Sequence, residues 1–317
     1  MKVIIFGGAG FVGLNLISAL NSITSDYLVI DNFTHTDSRN FIAEINKSNV
    51  IEMDLNNTSE LRRILKEYKA DCIIHLAANS DIRPDSRSSI NRDFRDTLGT
   101  TISFIEAVKN IACQKVIFAS SSAIYGNQGN SVDHNSHEAL SLSPISDYGK
   151  AKLACEYALQ FAFHNKQLQN LTIIRFPNVV GKFATHGILY DFMIKYKYKK
   201  EPLEVLGDGT QSKPYINVRD LVDCIINIIE QPSTGKIDFI NLGPSENTTV
   251  KEIAEVFVEL LEWNTTIKYG TSKEGWLGDV PTYSFKSGLL SGKLQNSKEA
   301  IKEAILDLKV DERFTRD

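Results

Sequence analysis

Apolar residues in the first half of the chain follow two alternating rhythms. Short, nearly continuous apolar runs rich in β-branched side chains fall at residues 2–6, 27–30, 50–53, 72–76, 115–119 and 171–175. Between them, residues 11–21, 59–68, 89–110 and 148–164 repeat their apolar positions at helical spacing. A strand that is apolar on both faces must be covered on both faces, as in a parallel sheet flanked by helices. The alternation therefore predicts an α/β fold, a doubly wound parallel sheet with right-handed crossovers. After residue 175 the pattern becomes mixed. Residues 178–185 read as loop, 188–200 as a helix with a basic end, and Gly207-Asp208-Gly209 as a turn. A strand at 215–218, a helix at 220–230 and a strand at 238–242 precede amphipathic helices at 250–263 and 297–307.

Composition narrows the possibilities. With 42% apolar and 23% charged residues the chain reads as an ordinary globular protein, and its net charge of -4 argues against an extended nucleic-acid surface. A single anionic ligand remains compatible, because a helix N-terminus can hold one phosphate group. No apolar run approaches the ~20 residues of a membrane span. The run Val3-Ile4-Ile5-Phe6 is broken at once by Gly7-Gly8, too soon for a signal peptide. Cys72, Cys113, Cys155 and Cys224 lie far apart without metal-type spacing, which suits reduced thiols in a cytoplasmic protein with no metal centre.

Residues 3–13 read VIIFGGAGFVG. Gly7, Gly10 and Gly13 follow the first strand and open the first helix, the setting in which a dinucleotide-binding loop works. Gly7 permits the tight turn, Gly10 lets backbone approach a pyrophosphate, and Gly13 lets helix and strand pack closely. Asp31, at the end of the second strand, can accept both hydroxyls of an adenosine ribose and would repel a 2′-phosphate, which favours NAD over NADP. Asp54, after the third strand, is a candidate for the adenine edge. These features make the sheet a Rossmann domain of residues 1–175 with about 215–242. Residues 176–214 and 243–317 form a smaller, mixed substrate-binding part.

The order and spacing of several motifs resemble the extended short-chain dehydrogenase/reductases. The likeness is greatest to the NAD-dependent epimerase/dehydratase family, UDP-glucose 4-epimerases in particular. The motifs are the glycine loop, Asp31-Asn32, His75-Leu76-Ala77-Ala78, Ser120-Ser121-Ser122-Ala123-Ile124-Tyr125-Gly126, Tyr148-x-x-x-Lys152 and Arg175-Phe176-Pro177-Asn178-Val179-Val180-Gly181. Gly207-Asp208-Gly209, Tyr215-Ile216-Asn217-Val218-Arg219-Asp220 and Gly278-Asp279-Val280-Pro281 extend the resemblance over almost the whole chain. It implies an NAD site formed by Gly7, Gly10, Phe11, Val12, Gly13, Asp31, Asn32, Asp54, Leu55, Leu76, Ala77, Ala78, Tyr148, Lys152 and Phe176. It also implies a homodimer through a four-helix bundle built from residues 89–110 and 148–164.

Tyr148 and Lys152 stand four apart on a predicted helix and share a face. A free phenol, with a pKa near 10, is a poor base at neutral pH, and a nearby ammonium should lower that value. Alignment on Tyr125-Gly126 places Ser121 at the family's catalytic Ser/Thr, with Ser122 as its rival. The implied reaction is C4 epimerisation of a nucleotide-diphosphate hexose through a 4-keto intermediate. Tyr148 is its base, Lys152 the ribose anchor and Ser121 the group that orients the hydroxyl. Related 4,6-dehydratases carry Asp-Glu where this chain has Ser122-Ala123, which argues against dehydration. A 4-oxidase or 4-ketoreductase of the same family remains open, as does a non-catalytic NAD sensor, although sensors usually lack the Tyr/Lys pair.

Asn178 matches the family contact to the sugar-nucleotide phosphates, and Arg83 and Ser122 are further substrate candidates. Arg83 could equally pair with Asp81 or Asp85. Both usual pyrophosphate arginines are altered. Gln211-Ser212-Lys213 carries Lys213 at one, and Trp276-Leu277-Gly278-Asp279 lacks the other. Lys213, with Lys273 as a second candidate for the same role, offers a point charge without the bidentate fork. Asp96 stands where relatives have Asn. His75 reads as a packed strand residue.

Overall fold

The computed structural model describes residues 1–24, 26–34, 49–79, 90–111, 115–127, 142–275, 280, 282–285 and 294–314. Arg83, Cys113, the segment 276–279 and Pro281 lie outside the described residues.

The strands in chain order are β1 Val3–Phe6, β2 Tyr27–Asp31, β3 Val50–Glu52, β4 Cys72–His75, β5 Lys115–Ala119 and β6 Leu171–Arg175. Then come β7 Asn178–Val180, β8 Leu203–Val205, β9 Ser212–Lys213, β10 Tyr215–Asn217, β11 Ile237–Asn241, β12 Thr248–Thr249 and β13 Ile267–Tyr269. Seven of them form one parallel sheet in the order β11-β6-β5-β4-β1-β2-β3. The order reverses beside β1, where the chain leaves β3 and returns as β4 on the other side. In sheets of this kind ligands bind outside the carboxyl ends of the strands at that reversal.

Burial explains the choice of strand. All residues of β1, β4, β5 and β6 are buried, as a sheet covered on both faces requires. On one face Val3 and Ile5 pack with Leu14 and Ile17 of the helix Phe11–Leu20 and with Leu221, Ile225 and Ile229 of the helix Val218–Glu230. On the other, Ile4 and Phe6 pack with Leu61 and Leu65 of Thr58–Tyr68, Phe104 and Val108 of Thr100–Val108, and Cys155 and Leu159 of Asp147–His164. A third core joins Phe192 and Met193 of Ile188–Lys197, Phe257 of Val250–Leu260 and Ile301 and Ile305 of Ser297–Lys309. Side-chain caps fix several helix starts: Asn57 accepts from Glu60 N, Ser146 from Gly149 N and Asn296 from Glu299 N, while Thr249 and Glu252 form a capping box.

Two expectations are corrected. Residues 178–180 are not loop, for Asn178-Val179-Val180 pairs in parallel with Tyr215-Ile216-Asn217. The predicted helix 89–110 is not one uniform helix. An α-turn, Ile90–Asp93, runs into a π-helical stretch, Phe94–Gly99, before the α-helix Thr100–Val108. Such wide turns are frequent at functional sites. The small residues of Asp147–His164 face inward, with Ala151, Cys155 and Ala162 fully buried, whereas Tyr157 and Phe161 are 57% and 70% exposed. Among the described residues no helix is long and apolar enough to cross a membrane.

Lys115, at the start of β5, is buried, and its Nζ donates to Ile228 O, Ile229 O and Gln231 O at 2.6, 2.9 and 2.5 Å. It thereby satisfies carbonyls that the end of helix Val218–Glu230 leaves without intrahelical partners. Lys115→Met is expected to keep the packing but lower stability by about 1–3 kcal/mol. Urea unfolding would measure it; an unchanged midpoint would show that the cap is dispensable.

Candidate active site

A cleft of about 450 Å³ runs along the carboxyl edge of the sheet and is closed on its far side by residues of the third core. Its walls include Gly7, Gly10, Phe11, Val12, Gly13, Asp31, Asn32, Leu55, Leu76, Ala77, Ala78 and Phe176 at one side. Ser121, Ser122, Tyr148, Lys152, Asn178 and Lys213 also line it. Asp54 does not; its exposed carboxylate accepts from Asn56 N and Nδ2 at 2.9 and 3.0 Å, so the cleft wall offers no support for the adenine contact expected of it. Lys273 is exposed and outside the lining, whereas Lys213 is buried within it. Arg83 cannot be placed among the described residues.

The glycine loop is shaped by close backbone approach. Gly7 has φ +73°, and a Cβ there would stand 2.7 Å from Ala77 Cα, across the reversal between β1 and β4. A Cβ on Gly13 would stand 2.4 Å from Gly8 O, so only glycine lets the helix close onto the loop. Gly10 is less confined, with Gly7 O at 3.3 Å from such a Cβ, and its backbone faces the cleft at the helix N-terminus. Asp31 ties the loop to β2: Ala9 N donates to its Oδ2 at 3.0 Å and Phe33 N to its Oδ1 at 2.8 Å. A tight glycine turn, a helix start with free N–H groups and a carboxylate at the next strand end fit the pyrophosphate and ribose of a dinucleotide.

Ser121, Tyr148 and Lys152 meet where β5 ends. Ser121 caps the short 3-10 turn Ser122–Tyr125, its Oγ accepting from Ala123 N at 3.1 Å. The same hydroxyl lies near enough to the Tyr148 phenol to pull its pKa down. Ser122 instead donates to Tyr283 Oη at 3.0 Å. Lys152 Nζ donates to Ala119 O at 2.6 Å and lies 5.8 Å from the Tyr148 ring centre. Burial pushes the Tyr148 phenol up to about 12, against the pull of Ser121. Burial likewise pushes the Lys152 ammonium down to about 8, against the opposing influence of Cys155 and Glu156. The expected lowering of the phenol by Lys152 is thus outweighed in the protein alone, because desolvation penalises both charged forms.

Sequence reasoning missed what lies beneath this trio. Arg175 and Glu156 form an ion pair with side chains 2% and 0% exposed, Nη2 to Oε2 at 2.7 Å and Nε to Oε1 at 3.1 Å. Ser120 donates to Glu156, Arg175 Nη1 donates to Tyr125 Oη at 3.0 Å, and Tyr125 donates to Asn241. The signal was present: a charged residue ends an otherwise apolar strand, and an acid sits four residues beyond Lys152. His75 is a core residue as expected. It packs edge-on against Phe6, Phe104 and Phe118, and burial pushes its imidazole down to about 3.

Residues 3–243 match the model of the NAD dependent epimerase/dehydratase family. A UDP-glucuronate 4-epimerase of Thermodesulfobacterium geofontis is 25% identical over 81% of this chain and 80% of its own. A UDP-glucose 4-epimerase of Lactobacillus helveticus is 27% identical over 80% of each. Among solved structures, the UDP-glucuronic acid 4-epimerase of Bacillus cereus with UDP-glucuronic acid and NAD superposes with a TM-score of 0.81, at 24% identity over 98% of this chain and 99% of that one.

Gly13→Ala should strain the loop by about 1–3 kcal/mol, since the clash is with backbone. Calorimetric titration with NAD is expected to show at least ~10-fold weaker binding, and undiminished affinity would remove the loop from the dinucleotide site.

Proposed function

Because the chain belongs to the NAD-dependent epimerase/dehydratase family, we propose that it holds NAD along the glycine loop and interconverts the C4 epimers of a nucleotide-diphosphate hexose. We take the nucleotide to be UDP, a reading supported by the UDP-sugar 4-epimerases that the chain resembles. The observation that carries this reading is the convergence of Ser121, Tyr148 and Lys152 on one wall of the cleft whose other wall is the glycine loop with Asp31. In this division of the chain, residues 1–175 with about 215–242 carry the cofactor, and residues 176–214 with 243–317 close over the sugar nucleotide.

NAD, when bound, supplies a hydride acceptor for C4 and a positive charge beside the phenol. Tyr148 Oη takes the proton of the C4 hydroxyl and later returns it. Ser121, whose hydroxyl acts on that phenol, orients the hydroxyl and steadies the oxygen as it becomes a carbonyl. Lys152 contributes a buried ammonium whose hold on Ala119 O fixes it beneath the ring. Burial holds the phenol against ionisation, and the positive nicotinamide ring of NAD would oppose that effect. Lys213 and Asn178, which line the cleft, would meet the diphosphate, with Lys213 as a point charge. Ser122 and Ala123 offer no carboxyl for elimination of water.

A homodimer fits the exposed Tyr157 and Phe161 on helix Asp147–His164 and Ile102, 45% exposed, on Thr100–Val108. The contact would use these large side chains, since the alanine-rich stripe is spent on the sheet. Cys72 and Cys155 are buried and in no disulfide among the described residues, which suits a reducing cytoplasm.

Tyr148→Phe should lower turnover by roughly 10³-fold while NAD binding persists. The assay is conversion of UDP-glucose and UDP-glucuronate, with product stereochemistry read by NMR; unchanged turnover, or no conversion of any UDP-hexose by the unmodified protein, refutes the assignment. Phe161→Glu is expected to shift the sedimentation coefficient from dimer to monomer, and a coefficient that does not move places the interface elsewhere.

A further inference from the structure

Asn79 stands just beyond the Leu76-Ala77-Ala78 wall and itself lines the cleft, although it is only 3% exposed. Its surroundings hold it firmly. Its backbone N donates to Thr97 Oγ1 at 3.1 Å, and its Nδ2 donates to Asp93 Oδ1 at 2.5 Å. Thr97 belongs to the π-helical stretch, and its own carbonyl accepts from Thr100, Thr101 and Cys155. Asp93, 7% exposed, ends the α-turn before that stretch.

The carboxamide therefore has one orientation. A carboxylate accepts only, so Nδ2 must face Asp93 and Oδ1 must point away from it. Among the described residues that Oδ1 is buried and has no hydrogen-bond partner. A buried carbonyl left unpaired is costly, and such atoms call for an explanation. Among the described residues the same condition holds for His75 Nδ1, Gln211 Oε1, Asn247 Oδ1 and Tyr269 Oη. Of these only Gln211 also lines the cleft, beside the Gly207 turn. Asn79 lies instead at the reacting end, where the charge of Asp93 is felt by Tyr148.

We propose that Asn79 is a ligand-binding residue whose carboxamide oxygen, aimed by Asp93, accepts a hydrogen bond from a sugar hydroxyl held beside Tyr148. The inference rests on the reading of the cleft as a site for NAD and a UDP-hexose. The donor is a hydroxyl of either the nicotinamide ribose or the hexose, which the chain reads by the same chemistry. Asp93 acts through Asn79 and is a positioning residue.

Calorimetry separates the two sources. NAD is titrated into nucleotide-stripped protein, and UDP-glucose and UDP are titrated into the NAD-loaded Tyr148→Phe form, which does not turn over. Asn79→Leu is expected to weaken one ligand by about tenfold. If NAD alone weakens, the ribose is the donor. If UDP-glucose weakens while UDP does not, the hexose is. Affinities for NAD and UDP-glucose both within twofold of the parent, or an equal loss for UDP, overturn the proposal. Asn79→Ala, which only removes atoms, reads the same comparison if Leu does not fold. Asp93→Asn still offers an acceptor to Nδ2 and should stay within twofold, whereas Asp93→Leu should reproduce the Asn79→Leu loss; parental affinities in Asp93→Leu would refute the aiming role. Failure of the parent protein to bind NAD at all would instead sink the cofactor reading itself.

Discussion

The site depends on a charge pair placed where charges are least welcome. Arg175 and Glu156 are sealed beneath the ends of β5, β6 and β11, and each hydrogen bond they make reaches a segment that carries part of the cleft. Ser120 precedes Ser121, Glu156 lies one helical turn after Lys152, and Arg175 precedes Phe176 and Asn178. A buried ion pair is weak as a source of stability, since desolvating both partners offsets most of their attraction. Its geometric demand is strong, because losing either partner strands the other. Apolar packing would tolerate small slips of the helix Asp147–His164 against β5, whereas the bidentate contact does not. The register of Tyr148 and Lys152 against Ser121 follows from it.

Above that pair, burial sets the energetics of the reacting groups. The same exclusion of water resists the phenolate of Tyr148 and the ammonium of Lys152, so burial raises the one pKa and lowers the other. A positive charge brought beside the phenol would act against that penalty.

Much of this was legible in the sequence. The alternating apolar rhythms pointed to six strands of the large sheet, and the fully covered ones, β1, β4, β5 and β6, could not avoid reading as apolar runs. The glycine spacing and Tyr148-x-x-x-Lys152 pointed to the right edge of the sheet. What was not legible depended on three-dimensional competition. Asn178-Val179-Val180 looked like loop since its partner, β10, lies far along the chain. The phenol's direction of shift was misjudged because sequence shows a neighbouring lysine but not the shared burial. Asn79 and Asp93 drew no notice because nothing in their spacing reveals that one is held by the other.

Asp31 carries two duties at once. The carboxylate suited to distinguishing one nicotinamide cofactor from its phosphorylated cousin also accepts the amides of Ala9 and Phe33, and so stiffens the loop that receives the diphosphate. Selectivity and rigidity are therefore inseparable at this position. A redesign toward the phosphorylated cofactor by neutralising this one acid would leave at least one of the two amides without its acceptor and slacken the turn, so any such conversion must rebuild the loop's anchoring together with its charge.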